Sequence, residues 1–487
     1  MNKPVRHVAL FSGLLVLSLL VRSTWLQFAQ ADELANNDHN RRVKINTYAQ
    51  PRGDIVVGGD PVTGSTPTTG SDLKYKRTYK NGPMYAPITG YTSQIYGSNQ
   101  LEYVYNKFLT GTDDKLFLQH ATDMLSGKKP QGGDVVTTID PKAQKAAYEG
   151  LAKYKGAAVA IDPSTGKVLA LASTPSYDPS VFSGESSKDQ KAWEKLEKDK
   201  DKPLSNRAIK ELYPSGSTFK ILTAAAAIDH GLYTDINAPT DSPYPWNLPD
   251  TVTPMKNENE SAPCRNASLK VAMQYSCNNV FAKIAAELGQ DKMRETAEKF
   301  GFDKDVFMPV SVVKSVYPSK LNRPQTALTG IGQGDLRATP FQIAMMTAAI
   351  ANDGKLMKPT LVDKLRGPDL STVEQTKPET MDQAVSPETA KKLQEMMEFT
   401  AKEGTGKAAL IDGTTVGAKT GTAQHGVNND KIPYAWFVSY AKQADGSPVA
   451  VAVFIDPEGS GVDRDDVSGG GLAGPIAKKI MQAVLAK

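Results

Sequence analysis

The chain has 487 residues, 40% hydrophobic and 23% charged, a composition that fits roughly two to four folded domains and excludes wholesale disorder, collagen and a polytopic membrane protein. Its 57 basic and 53 acidic side chains are interspersed and leave a net charge of +4, so no nucleic-acid-binding patch stands out. Two cysteines and five scattered histidines (His7, His39, His120, His230, His425) offer no metal-ligand spacing, and neither a metal nor another cofactor is expected.

At the N-terminus, Lys3 and Arg6 precede an apolar run from Val8 to Val21, and Arg22 is followed by Trp25, Leu26 and Phe28. The 14-residue run alone has the length of a removable secretory signal, and Ala29-Gln30-Ala31 offers a small-x-small cleavage site. Extended to Ala29, the segment has 22 residues, enough to span a bilayer with Arg22 snorkelling toward the outer interface. The uncleaved single-pass anchor is the favoured reading over a cleaved signal or a plain buried helix, with the positive charges holding the N-terminus in the cytoplasm. Under either the anchor or the signal reading the body of the chain lies outside the cytoplasmic membrane.

From Asp32 to Lys129, short strand-like runs alternate with turn-rich patches, and Gly58 to Ser71 reads as a loop. A glycine-rich cluster from Pro130 to Gly133 sets a boundary, which gives 1–31 as cytoplasmic stub and anchor, 32–130 as a first module and 131–487 as a larger domain. Past it, Asp134 to Asp140 reads as a strand start, and Ala157–Ile161 and Lys167–Ser173 read as a hairpin joined by Asp162-Pro-Ser-Thr-Gly166. The mixed-charge run Lys188–Lys202 fits a solvated helix face. Helices are expected over Ser217–His230, Val271–Leu288, Asp291–Phe300 and Pro340–Asn352. Strands are expected near Thr415–Thr422, Ala435–Tyr440 and Val449–Asp456, with a last amphipathic helix over Pro475–Leu485. Strands at both ends with helices between them indicate one α/β domain.

Three short patterns carry chemistry. Tyr213-Pro-Ser-Gly-Ser217-Thr-Phe-Lys220 opens a helix that is apolar nearly all round. Residues three apart share a helix face, which sets the Lys220 amine beside the Ser217 hydroxyl. A cation in the first turn of a buried helix opposes the helix dipole and is poorly solvated, so Lys220 is badly placed for stability. Desolvation lowers a lysine pKa, and a neutral amine is the general base that a serine nucleophile requires. The bland alternative is a Ser217 helix cap beside a snorkelling lysine; five other S-x-x-K matches occur in the chain, none opening an apolar helix. Ser276-Cys-Asn278 is the only S-x-N, and Lys419-Thr420-Gly421-Thr422 contains the only K-[ST]-G. Taken singly, Asn278 reads as a helix cap and Lys419 as an exposed strand end.

In this order the three motifs resemble those of the penicillin-recognising serine acyltransferases. The likeness extends to Arg52-Gly-Asp-Ile55, to Gly97–Glu102 within Y-G-S-N-Q-L-E, and to Thr137-Thr-Ile-Asp140. It continues through Gly166-Lys-Val-Leu-Ala170, Gly332-Gln-Gly334, Thr339-Pro340 and Gly404-Thr-Gly406. Nearly the whole chain is similar to class B penicillin-binding proteins, nearest to the actinobacterial penicillin-binding protein A group; Ala418 stands where many relatives carry glycine. The resemblance implies a transpeptidase fold, an antiparallel five-stranded sheet flanked by helices, with an N-terminal mixed pedestal domain of dimerisation type and one transmembrane helix. It implies a serine D,D-transpeptidase that cross-links peptidoglycan stem peptides and is acylated by β-lactams.

The same resemblance implies roles for residues. Ser217 is the nucleophile, Lys220 its base, Ser276 a proton relay, Asn278 a hydrogen-bond partner of Lys220 and substrate, and Lys419 a cation for the terminal carboxylate. Thr420, Gly421 and Thr422 belong to the substrate-binding strand. Partners implied are stem peptides, β-lactams, the membrane through the N-terminal helix, and proteins of a division or elongation complex, with no nucleic acid. Cys264 and Cys277 are compatible with a disulfide pinning the loop of Ser276 and Asn278, since an exported location permits oxidation; two buried thiols are the alternative. A serine β-lactamase, a D,D-carboxypeptidase, and a non-catalytic scaffold or β-lactam receptor are the competing functions left open.

Overall fold

The computed structural model describes residues 3–35, 41–117, 131–443 and 448–486. The expected boundary residue Pro130, with His39 and His120, lies outside them.

Lys3–Phe28 is one continuous helix of 26 residues, none buried. At about 1.5 Å per residue it is some 39 Å long, more than a hydrocarbon core requires. Its apolar window has a mean hydropathy of 1.8, and among the described residues it is the one helix long and apolar enough to cross a membrane. An exposed apolar helix of this size suggests single-pass membrane anchoring.

The first module is built around a sheet in the order Thr372–Gln375, Val362–Arg366, Asp134–Thr137, Ile55–Val57, Asp60–Pro61. Ile55–Val57 pairs in parallel with Asp134–Thr137, and the remaining pairs are antiparallel. Asp134–Thr137, expected just beyond the boundary, therefore closes the sheet of the preceding module, and two strands from late in the chain complete it. Thr63–Pro67 pairs with Tyr75–Tyr79 in a hairpin. The turn-rich patch expected as a loop is thus partly strand. Composition misled here because an edge hairpin tolerates the Gly and Ser that would weaken a central strand.

Two of the sequence landmarks meet inside this module. Glu102 is wholly buried and takes Arg52 Nη2 at 3.0 Å on one oxygen and Arg77 Nε at 2.6 Å on the other. Arg77, also buried, reaches Asp54 at 3.4 Å. R-G-D-I and the Glu102 turn are thus two halves of one ionic cluster.

The larger domain is a five-stranded antiparallel sheet in the order Thr415–Ala423, Tyr434–Lys442, Pro448–Asp456, Lys155–Ile161, Val168–Thr174. Its central strands read as continuous apolar runs because both faces are covered. On Pro448–Asp456, Val449, Val451, Val453 and Ile455 pack into the layer of the Pro141–Leu151 and Gly474–Leu485 helices. Ala450, Ala452 and Phe454 face the other layer, where all twelve residues of Pro340–Ala351 are buried. Lys220–Asp229 lies in that same layer.

Two expectations fail locally. The single helix over Val271–Leu288 is two, Leu269–Tyr275 and Asn278–Lys299, broken at Ser276. The Asp291–Phe300 helix is the continuation of the second past a kink at Gly289. A further helix, Pro387–Glu403, is capped by Ser386 and buries Ala390, Leu393, Met397 and Ala401 at helical spacing. That periodicity was available in the sequence.

Glu102 balances two buried guanidinium groups, so Glu102→Gln leaves buried positive charge uncompensated. Loss of roughly 3–5 kcal/mol of stability is expected, read as a lower urea midpoint for the full chain. An unchanged midpoint would show that Arg52 and Arg77 find other partners.

Candidate active site

The nucleophile candidate sits in a 3-10 turn, Gly216–Phe219, that runs straight into the Lys220–Asp229 helix. The turn depends on close backbone packing. Gly216 has φ 53° and donates its N–H to Gly332 O at 3.0 Å. A Cβ on Gly332 would lie 2.0 Å from Gly216 O, and a Cβ on Gly216 would lie 2.7 Å from Thr422 O. Gly421 likewise lets the sheet strand approach the Thr218 and Trp436 side chains. The G-Q-G landmark, the nucleophile turn and the third motif are thereby held backbone to backbone. Ser217 is 7% exposed at this junction.

Lys220 is fully buried and its Nζ makes three contacts: Asn278 Oδ1 at 2.6 Å, Ser276 O at 2.7 Å and Ser276 Oγ at 3.0 Å. Lys419, also fully buried, reaches the same Ser276 Oγ at 2.9 Å and Thr420 O at 2.8 Å. Four of the expected site residues therefore form one connected network centred on a hydroxyl. Among the described residues no hydrogen bond joins Ser217 Oγ to Lys220, whose amine faces the second motif instead.

Burial, reinforced by the neighbouring Lys419, holds Lys220 well below the ordinary lysine range, against the opposing pull of Glu258. Burial brings Lys419 down to about 7, again opposed by Glu258. The arrangement provides a neutral amine, a hydroxyl able to pass a proton, and a second amine whose charge is easily restored by an anion.

Ser276 reaches both amines because its backbone is left-handed, φ 59° and ψ 45°, at the end of Leu269–Tyr275. For a non-glycine residue that conformation is costly, and neighbours must enforce it. Cys277, the next residue, is joined to Cys264 by a disulfide with Cα atoms 5.5 Å apart. Asn278 does not cap the helix that it opens. Asn257 does so from a distant loop, its Oδ1 accepting from Asn278 N at 2.6 Å and Asn279 N at 3.3 Å. Asn278 Oδ1 is thereby free for Lys220, while its Nδ2 donates to Lys256 O at 2.7 Å.

Thr420 and Thr422 point to different partners. Thr420 Oγ1 donates to Thr405 Oγ1 at 2.9 Å, which gives the G-T-G landmark its place beside the strand. Thr422 Oγ1 donates to Glu258 Oε1 at 3.0 Å. Asn257 and Glu258 were missed in the sequence, and no signal there marks them: they lie in a polar stretch, Lys-Asn-Glu-Asn-Glu-Ser, without periodicity or motif.

A family model described as the penicillin binding protein transpeptidase domain matches residues 156–482, and one described as the penicillin binding protein A dimerisation domain matches residues 52–135. The chain is 38% identical over 498 residues to the peptidoglycan D,D-transpeptidase PbpA of Mycolicibacterium smegmatis, covering 100% of this chain and 99% of that one. The Mycobacterium tuberculosis PbpA is 38% identical over 496 residues, with the same coverage. Penicillin-binding protein A from M. tuberculosis, solved as its ceftriaxone acyl-enzyme, superposes with a TM-score of 0.84 at 38% identity, over 91% of this chain and 100% of that one. Its penicillin G acyl-enzyme gives 0.82 at 37% identity, over 90% of this chain and 100% of that one.

Two perturbations test how the site is held. Gly332 has φ 71° and no room for a Cβ, so Gly332→Ala should cost at least about 2 kcal/mol through strain and overpacking together, seen as a lower urea midpoint. Opening the Cys264–Cys277 link, separated by 13 residues, should cost about 3 kcal/mol in chain entropy. Denaturation of Cys264→Ser/Cys277→Ser against the oxidised protein checks this, and equal stabilities would show that the link constrains nothing.

Proposed function

The chain belongs to the penicillin-binding protein transpeptidases, in the penicillin-binding protein A group, and on that premise we propose how its residues divide the work. The enzyme is a peptidoglycan D,D-transpeptidase that β-lactams acylate. Ser217 Oγ attacks the carbonyl carbon of the penultimate D-Ala of a donor stem, and its proton passes to neutral Lys220. A bond forms between Oγ and that carbon, and the amide bond to the terminal D-Ala breaks. Ser276 carries the proton onward to the leaving amine. The amine of an acceptor stem then attacks the ester, Ser217 recovers a proton, and a cross-link is made.

The observation that carries this assignment is the Ser276 hydroxyl lying 3.0 Å from one buried lysine and 2.9 Å from another. With Lys220 neutral, its two N–H groups satisfy Ser276 O and Asn278 Oδ1, and its lone pair is left for a hydroxyl proton. The amine turns toward Ser217 when substrate is present, as catalytic hydrogen bonds often tighten only in the complex. Lys419, charged when it meets the donor's terminal carboxylate, holds that group with Thr420 and Thr422. The backbone N–H groups of Ser217 and Thr422 receive the developing oxyanion, where one donor is worth roughly 3 to 4 kcal/mol of barrier.

The N-terminal helix suggests single-pass anchoring. Lys3 and Arg6 ahead of it support a cytoplasmic N-terminus, which puts the remainder outside, where the Cys264–Cys277 disulfide is chemically at home. Residues 1–31 serve as stub and anchor, 32–130 as pedestal and 131–487 as the transpeptidase domain, the pedestal being the surface available to proteins of a division or elongation complex.

Incubation of the full chain with fluorescent penicillin, followed by peptide mapping, should place the label on Ser217. Ser217→Ala should abolish labelling, and Lys220→Ala should slow acylation by roughly 10² to 10⁴. A label on any other residue ends the assignment. The pH dependence should be two-sided. Protonation of Lys220, well below its ordinary range, removes the base at the acid end. Above about 7 Lys419 loses its proton, so binding of a carboxylated β-lactam should weaken about tenfold per pH unit. Lys419→Arg should remove that alkaline limb, and a limb that survives would belong to another group.

A further inference from the structure

The segment 256–258 follows the short strand Pro254–Met255 and runs between the Asn278–Lys299 helix and the Thr415–Ala423 strand, with hydrogen bonds to both. It is not a free loop. Lys256 O accepts from Asn278 Nδ2 at 2.7 Å, Asn257 Oδ1 caps the Asn278–Lys299 helix, and Asn257 Nδ2 donates to Asn279 Oδ1 at 3.1 Å. Asn257 is 6% exposed and fixed on all sides. The following residue, Glu258, has an exposed side chain. Its carboxylate nevertheless crosses to the sheet strand and takes the Thr422 hydroxyl at 3.0 Å, across 164 residues of sequence.

Thr422 and Lys419 are the groups assigned above to the donor's terminal carboxylate, and the inference rests on that assignment. We propose that Glu258 is a tethered carboxylate seated at the Thr422 end of the anion subsite, which a donor stem or β-lactam must displace, so that it sets the threshold for ligand binding. Two carboxylates on one hydroxyl repel, and only one can face the Lys419 cation beside it. Glu258 can yield by rotation of its own side chain toward solvent, because its backbone is held by Asn257 and need not move. A small anion offers nothing beyond what the tethered group already supplies. A donor that also engages the Ser217 turn can displace it. The electrostatics agree with the placement, since Glu258 favours the charged forms of both Lys220 and Lys419. Glu258 acts through Thr422 and is a positioning residue.

The test separates the pre-acylation dissociation constant K from the acylation rate constant k2. Full-length protein in detergent is titrated with fluorescent penicillin, and with the same compound methylated at its ring carboxylate. At pH 6 Lys419, near 7 in the protein, holds its proton. Glu258→Ala is expected to tighten K for the carboxylate form by about fivefold or more, with k2 within about twofold of the unaltered protein. Glu258→Gln, which keeps an acceptor for Thr422 and loses the charge, should move K in the same direction by less. The methyl ester should show no change in K in either variant. K unchanged or weakened for the carboxylate form, or an equal gain for the ester, would overturn the proposal. Failure of the unaltered protein to label at Ser217 would instead defeat the transpeptidase assignment itself.

Discussion

Two lysine amines share one hydroxyl in space that water hardly reaches, and most of the domain's unusual local structure serves that contact. Each amine lies about 3 Å from Ser276 Oγ, so the two can be no farther apart than about 6 Å. Two ammonium charges at that separation repel by roughly 3 kcal/mol at an effective dielectric of 20, which is about two pKa units. Burial adds to this for both groups. The pair is therefore stable only when at least one amine is neutral. Lys220, with Lys419 and burial both acting on it, is the one that stays so. In the role proposed for Lys220, its position beside Lys419 in a buried site is what keeps its amine available as a base.

Such a contact cannot be assembled from regular elements. Lys220 comes from a helix, Lys419 from the edge strand of the sheet, and Ser276 from a left-handed residue between two helices. The strain at Ser276 is enforced on one side by the disulfide at Cys277 and on the other by a remote cap. Asn257 caps the helix so that Asn278 need not. If Asn278 turned inward to cap its own helix, Lys220 would lose its closest partner and keep only Ser276, and an unmet hydrogen bond on a buried amine is costly. The glycines at 216 and 332 solve the corresponding problem on the Ser217 side, where three stretches of backbone meet with no space for a Cβ.

Lys220 stood out in the sequence because it breaks a local rule, a cation in the first turn of an apolar helix, whereas Ser276-Cys-Asn278 and Lys419-Thr-Gly421 stood out only as single occurrences of their patterns in the order the family resemblance implies. The strands of the five-stranded sheet were legible too, through their short apolar runs and flanking turns, while their number and antiparallel arrangement came from the family resemblance. What was not legible depends on contacts far apart in sequence. Helical periodicity ran smoothly through 271–288 and concealed the break at Ser276, because a left-handed serine is set by its surroundings and not by its own preference. Asn257 and Glu258 look like ordinary loop polarity until the Asn278 helix and the Thr422 strand are placed against them. The helix Pro387–Glu403 carried a clear pattern and a capping serine, and was missed in spite of both.

The same dependence on distant partners decides how the pedestal is joined to the catalytic domain. Its strand Asp134–Thr137 leads directly into residues bonded to the edge of the catalytic sheet: Thr138 Oγ1 donates to Val168 O at 2.6 Å, and Asp140 N to Leu169 O at 2.9 Å. Val168 N in turn donates to Thr360 O at 2.8 Å, just before the strand Val362–Arg366 that returns to the pedestal sheet. The junction is thus made of two backbone–backbone hydrogen bonds and one from a threonine hydroxyl, contributed by three separate chain segments, with the Lys167–Asp363 ion pair at 2.8 Å beside it. Backbone ladders resist sliding far better than side-chain contacts between two closed domains. Hinge motion at this point would require several buried backbone groups to lose their partners together. Joined in this way, the first module and the larger domain are held against sliding at this junction, and the proposed side-chain movements around Ser217 and Glu258 need no change there.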